Sequence, residues 1–188
     1  ETIFKPAILD VVQMQLTGLP INREEVQNAR EILQADQDDS VNRMRSLPLV
    51  AEYEAHRLKS YTVEKNAEWK VKRMTEQEML EASKTSETIL KEITFNPNSG
   101  PQLQHLIYTQ LGLPVIDYTD TKQPATGKDT LKKLKNHTQD KDVLQFLDAL
   151  IDYTDVTIIL SIFIPAFERS VQGPDGWYYL FGNFNLGG

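Results

Sequence analysis

Asp148, Asp152 and Asp155 stand at helical spacing, the arrangement by which carboxylates on one helix face hold a divalent cation. Spacings of four and three equally describe a solvated stripe, and no second acidic element accompanies them, so no metal site is predicted. Ser, His and Asp all occur, but the strained nucleophile turn that acyl transfer needs is not visible. His56, His105 and His137 are widely separated and read as surface or boundary residues, and cysteine is absent. That leaves no histidine metal cluster, no thiolate ligand and no disulfide. The chain therefore offers binding chemistry rather than bond-making chemistry.

The binding chemistry centres on Phe95-Asn-Pro-Asn-Ser-Gly-Pro-Gln-Leu-Gln-His-Leu-Ile-Tyr-Thr-Gln-Leu-Gly-Leu-Pro114, where a polar loop enters a short amphipathic helix. Asn98 or Ser99 can cap the helix, and Pro101 suits its first turn. Leu103, Leu106, Ile107 and Leu111 form one apolar stripe, and Gly112 and Pro114 stop it. Such a helix start presents amides and small polar side chains that attract anions, and a nucleic-acid backbone is an extended anion. The net charge of −7 argues against that partner as an average, yet the segment from Asp120 to Lys141 is locally basic. It carries Lys122, Lys128, Lys132, Lys133, Lys135 and Lys141 against Asp120, Asp129 and Asp140. Lys132, Lys133 and Lys135 equally suit the solvated face of a small helix.

The elements that must position these residues are helical. With 188 residues and ordinary apolar content, one domain, or one domain plus an appendage, is expected. No apolar run approaches the roughly 20 residues a bilayer needs and no basic-then-apolar signal opens the chain, so no membrane partner and a cytoplasmic location are expected. The start at Glu1 and the glycine-rich end read as those of an excised piece. Phe4 to Leu16 carries Ile8, Leu9, Val11, Val12 and Leu16 on one face, and Gly18-Leu-Pro20 ends that helix. Asn22, with Glu25 in capping-box spacing, starts another that runs towards Ala35, before an acidic loop at Asp36-Gln-Asp-Asp-Ser40.

From Leu47 to Ile93 one or two long, largely exposed helices are predicted. Their apolar positions, including Leu49, Val50, Tyr53, Leu58, Trp69, Met79, Leu80, Ile89 and Leu90, are too sparse for an independent core. Thr126 or Thr130 can cap a short helix through Leu131 and Leu134. Asp142 to about Ala166 reads as a long helix whose second half, Val156 to Ile164, is apolar nearly all round and is expected to be the buried spine, bent or ended by Pro165. Glu168 to Gln172 and Trp177 to Phe181 flank the turn Gly173-Pro-Asp-Gly176 as a β-hairpin. The fold class is mainly α: an elongated bundle of long antiparallel helices with a small tip and a C-terminal β-hairpin.

In order along the chain, Phe95-Asn-Pro-Asn-Ser99 with Gln102-Leu103, then Leu111-Gly-Leu-Pro114, then Pro124-Ala-Thr126 ahead of Leu131 and Leu134, resembles the thumb of family A, polymerase I-like DNA polymerases. Tyr153-Thr-Asp-Val-Thr-Ile-Ile-Leu-Ser161 sits where that family has a Tyr-Arg-x-Leu-x-Lys-Leu-x-Ser helix. Ile8 to Ile21, with Thr17-Gly-Leu-Pro-Ile, resembles the family's opening helix and turn. The similarity covers Pro6 to Arg30 and Thr94 to Gly188, and the segment between looks like the thumb elaboration of a phage-type enzyme. Phe184-Asn185 stands where the family's hairpin leads towards the palm.

The resemblance implies a thumb-like domain over 1–170, with an elaboration at 40–93 and a DNA-facing tip at 95–138, and a hairpin over 171–188 leading to a palm. It implies a parent nucleotidyltransferase for DNA replication, in a bacterial or infected host cell. Its two Mg2+ ions are held by palm aspartates outside this chain, which itself needs no cofactor and has no catalytic residue. The implied partner is primer-template duplex, held without regard to sequence, with a processivity factor possible at the 40–93 arm. DNA contacts are implied at Asn96, Asn98, Ser99 and Gln102, at a tip of Thr126, Gly127 and Lys128, and at Thr157 and Ser161 on the last helix. Thr154 and Ile158 stand where relatives carry Arg and Lys, which moves the weight to Lys128, Lys132 and Lys133. A helical adaptor that mates through the 47–93 arm is the alternative.

Overall fold

A computed structural model describes residues 13, 15–68 and 73–182. The chain is mainly helical, with a small antiparallel sheet. In order, the elements are β1 (Leu19–Ile21), α1 (Arg23–Arg45), α2 (Pro48–Glu68), α3 (Glu76–Thr85), α4 (Glu87–Ile93), α5 (Gly100–Gln104, continued by a π-helical turn over His105–Gln110) and α6 (Lys128–Leu134). They are followed by α7 (Lys141–Ile158, continued by a π-helical turn over Ile159–Phe163), α8 (Ile164–Glu168), β2 (Val171–Gln172) and β3 (Tyr178–Leu180). By internal contacts the chain forms two compact units: residues 38–154, and residues 1–37 with 155–188.

In the 38–154 unit, one core joins Met44 of α1, Leu49, Val50 and Tyr53 of α2, Phe95, Leu106 and Ile107, Leu131 and Leu134 of α6, and Phe146, Leu147 and Leu150 of α7. Within this unit the first half of α7 supplies its apolar residues at three- and four-residue spacing, so one face is buried while Asp148 and Asp152 stay outside, paired with Lys135 and Arg43. A second cluster of Tyr61, Met79 and Ile93, flanked by Leu58, Met74 and Ile89, joins α2, α3 and α4. The described residues of 47–93 thus form three helices, two of them short, rather than one or two long ones, and their apolar positions close a core. The break is physical: Thr75 caps α3 through a reciprocal capping box with Glu78, and Asn66 holds the backbone N–H and C=O of Met74 at 2.7 Å each.

Asp36 to Ser40 is helix, not loop. The run has no Gly or Pro to break it; its described acidic side chains face outward, while Ser40 turns inward and is buried. Asn22 does cap α1, its side-chain oxygen accepting from the N–H groups of Glu24 and Glu25.

In the other unit, β1, β3 and β2 form a three-stranded sheet in that order, both pairings antiparallel. The expected hairpin exists, but Leu19–Ile21, read above as a helix stop, adds a third strand. Gly18 makes that entry possible: its φ is +74° and an added Cβ would lie 3.0 Å from the Phe181 ring. Arg23 ties the unit together, donating at 2.8 Å to the carbonyls of Glu168 and Ser170 with its guanidinium 4.1 Å from the Tyr178 ring centre. Of the Phe4–Leu16 helix only Gln13, Gln15 and Leu16 are described, and they are helical; Trp69, Phe184 and Asn185 lie outside the described residues.

The buried spine lies elsewhere than expected. Ile158, Ile159, Ile162 and Phe163 are exposed, at 43%, 37%, 58% and 49%, and of Val156–Ile164 only Ile164 is buried. Being apolar all round gives this stretch no preferred face, and within its own unit the described residues cover little of it. Pro165 neither ends nor breaks the helix. A proline cannot donate to the carbonyl four residues back, and the π-helical turn just before it, closed by the bond from Ile164 N–H to the Ile159 carbonyl, spreads the backbone there. By length and composition the continuous helix Lys141–Glu168 is apolar enough to cross a membrane, although its first half is embedded in the 38–154 core.

If the 47–93 helices close a core, Met79→Ala should lower unfolding stability by about 2–5 kcal/mol in a denaturant titration, whereas Leu80→Ala, at an exposed neighbour, should cost under about 0.5 kcal/mol.

Candidate nucleic-acid interface

The 95–102 loop is anchored at its first residue. Phe95 is 2% exposed, edge-on to Tyr53 at 6.0 Å and tilted against Phe146 at 5.8 Å, and its N–H donates to the Glu54 carboxylate at 2.8 Å. The loop then bonds to itself. The Asn96 N–H donates to the Gln102 side-chain oxygen, and the Asn98 N–H to the Asn96 side-chain oxygen, both at 2.9 Å. These bonds engage the oxygen of each carboxamide and leave the NH2 ends of Asn96 and Gln102 without a partner among the described residues. Ser99 occupies the N-cap position, but its hydroxyl makes no capping bond. The expected cap by Asn98 or Ser99 is therefore absent, because the Asn96 turn does that closing work: the Ser99 N–H donates to the Asn96 carbonyl at 3.0 Å. The loop presents donors.

The helix behind the loop is held from below and above. Leu103, Leu106 and Ile107 are buried, and the π-helical turn closes with Leu111 N–H donating to the Leu106 carbonyl at 2.9 Å. Above it, Gln104 donates to the Pro124 carbonyl at 2.8 Å and the Tyr108 hydroxyl donates to the Ala125 carbonyl. These bonds seat the tip residues Thr126 and Gly127 on the same helix that starts at the donor loop. Burial raises the Tyr108 pKa, with the Asp117 charge adding to it.

The basic run is thinner than its lysine count. Gly127, not Thr126 or Thr130, stands at the N-cap of α6, without a side-chain capping bond. Thr130 is buried instead and donates to Asp117 at 3.1 Å, and Lys133 pairs with the same carboxylate at 2.9 Å. Lys133, then Thr130, hold the Asp117 carboxyl below its ordinary value. Lys135 is taken by Asp148, and Lys128 also has an interaction partner. Lys132 is exposed and makes no ion pair among the described residues. Thr157 and Ser161 belong to the other unit: Thr157 accepts from Gln37 at 2.8 Å, and Ser161 donates to the Ile158 carbonyl at 3.5 Å.

Sequence reasoning missed residues that share the loop's surroundings. Asn96, Ser99 and Gln102 line a cleft of about 470 Å³ whose other wall includes Arg57 of α2, Lys91 and Glu92 of α4, and His105. Arg57 donates to the Glu92 carbonyl at 3.1 Å and to its carboxylate at 3.3 Å, and Lys91 pairs with Glu87 at 2.7 Å. The half-buried His105 ring stacks on exposed His56 at 5.6 Å and tilts against Tyr53 at 5.8 Å, so these two histidines are surface and boundary residues, as expected, but form a pair. No spacing rule links Arg57 or Lys91 to Asn96; only the folding back of α4 onto α2 brings them there. Among the described residues no group of three or more His, Cys, Asp or Glu is placed to hold a metal ion. Comparison of the chain with protein-family models and with curated proteins gives no match.

Proposed function

We propose that this chain is the thumb of a family A, polymerase I-like DNA polymerase, gripping the primer-template duplex through sequence-independent contacts to phosphate and sugar. The observation that carries the reading is the loop at Asn96, Ser99 and Gln102, where both carboxamide oxygens accept bonds from the loop's own backbone while the NH2 groups of Asn96 and Gln102 and the Ser99 hydroxyl are left to donate. Phosphate oxygens are acceptors only, so such a surface suits a backbone. Lys132 adds a cation on the helix that follows the seated tip. An acidic protein binds DNA through such a local field, because charges beyond about 8 Å are screened at physiological salt.

Holding the product is this chain's part of the reaction. Nucleotide transfer with two Mg2+ ions, the replication role and the cytoplasmic setting are proposed for the parent enzyme. The 40–93 helices, with Val63, Leu80 and Leu90 exposed, are the surface proposed for a processivity factor. An adaptor would use the same exposed residues; Leu49, Val50 and Tyr53, committed to the same core as Phe95, would take no part in such a surface.

Gln102→Glu is nearly isosteric and keeps the oxygen that accepts from Asn96 while replacing the donor by an anionic oxygen. It should weaken duplex binding about tenfold or more, as expected for one lost bond to a charged group, with unfolding stability unchanged. Equal loss of stability and affinity would make the loop merely structural. Lys132→Glu should weaken binding to all duplexes alike and reduce the slope of log affinity against log salt by roughly one per lost phosphate contact; an unchanged slope would remove Lys132 from the interface.

A further inference from the structure

His105 is the residue in the cleft whose state the duplex reading leaves unexplained. Its Nδ1 is buried and has no hydrogen-bond partner, which is costly for either neutral tautomer and worse for the imidazolium. The groups facing it are Tyr53, His56 and Arg57 from α2 and, across the cleft, Lys91 and Glu92 from α4, while Glu54 is occupied by the Phe95 N–H. Burial first, then the charges of His56 and Arg57, lower the His105 pKa below its ordinary value. The cleft thus sets His105 beside Arg57 and Lys91 and a fringe of unused donors.

We propose that this cleft seats a single phosphoryl group and that His105 takes up a proton when the seat is filled. Arg57 supplies the fixed charge, and the free donors of Asn96, Ser99 and Gln102 supply bonds to the phosphoryl oxygens. The incoming anion provides the counter-charge that the ring lacks, so binding and protonation support each other. Glu92 competes for Arg57 through its carboxylate, while the bond from Arg57 to the Glu92 carbonyl stays in place to hold the guanidinium at the cleft. The inference deepens the thumb reading, with a backbone phosphate as the occupant, although free phosphate carries the same chemistry.

The test is a titration of the His105 ring by NMR, with the whole chain alone, with inorganic phosphate and with a short duplex. The expected result is a raised His105 pKa with either ligand and an affinity that grows as pH falls through the histidine range, by up to about tenfold per pH unit for one linked proton. Glu92→Gln should tighten phosphate, Arg57→Gln should abolish its effect on His105, and His105→Gln should leave binding but remove its pH dependence. If phosphate moves His105 and no duplex binds, the seat stands and the thumb reading falls. If duplex binds and neither ligand moves His105, the seat is overturned and the thumb reading stands. A His105→Gln chain that fails to fold leaves the ring titration of the unaltered protein to decide.

Without added phosphate the protein has its own pH signature. The unfolded chain takes the His105 proton more readily than the folded one, so stability should drop as pH falls through 6.5 towards the depressed folded value. Saturating phosphate should offset that drop.

Discussion

The burial of Phe95 is the constraint on which the rest of the candidate site depends. One aromatic ring, wedged between Tyr53 of α2 and Phe146 of α7, fixes where the polar loop leaves the core, and the Glu54 carboxylate fixes the direction of its backbone. From that fixed point Asn96 and Gln102 can close the loop on themselves, and their donors face the same cleft as Arg57 and His105. Removing a buried Phe side chain costs about 3–5 kcal/mol, a large share of the 5–15 kcal/mol by which domains are stable, so the loop is as rigid as the core that holds it. A preordered row of donors binds an extended anion without first losing conformational freedom.

Charge acts locally in this chain. Two acidic side chains near the tip are already engaged, Asp117 by Lys133 and Thr130 and Asp148 by Lys135, while Asp120 and Asp129 stay exposed. The same pairs remove Lys133 and Lys135 from any phosphate. What remains for the partner is a small set of neutral donors with Lys122, Lys132 and Lys141, exposed and without an ion pair among the described residues, and Arg57, which Glu92 shares, a set that suits weak, sliding contact with a backbone better than tight, sequence-reading attachment.

Much of the fold is legible residue by residue. Asn22 announces its cap, Gly173 and Gly176 their turn, and Leu103, Leu106 and Ile107 their buried stripe, because each signal is local. What fails depends on long-range packing. Val156 to Ile164 has only Thr157 and Ser161 to mark an outer face and no charged residue, so its sequence looks buried wherever it lies, and the polar run Asp36 to Ser40 looks like loop although nothing in it breaks a helix. Lys133 looks like a free cation until the loop brings Asp117 against it. Half of the candidate cleft, His105 included, lies in the Phe95 motif; the half made by Arg57, Lys91 and Glu92 appears only once α4 is folded against α2.

The most direct test of the central claim is the affinity of this chain for two duplexes of unrelated sequence, measured across a range of salt concentrations. Backbone recognition by a donor loop and a few cations predicts equal affinity for both, falling linearly on a log–log plot with a shallow slope. No binding at low salt, or a preference for one sequence that persists as salt is raised, would contradict it.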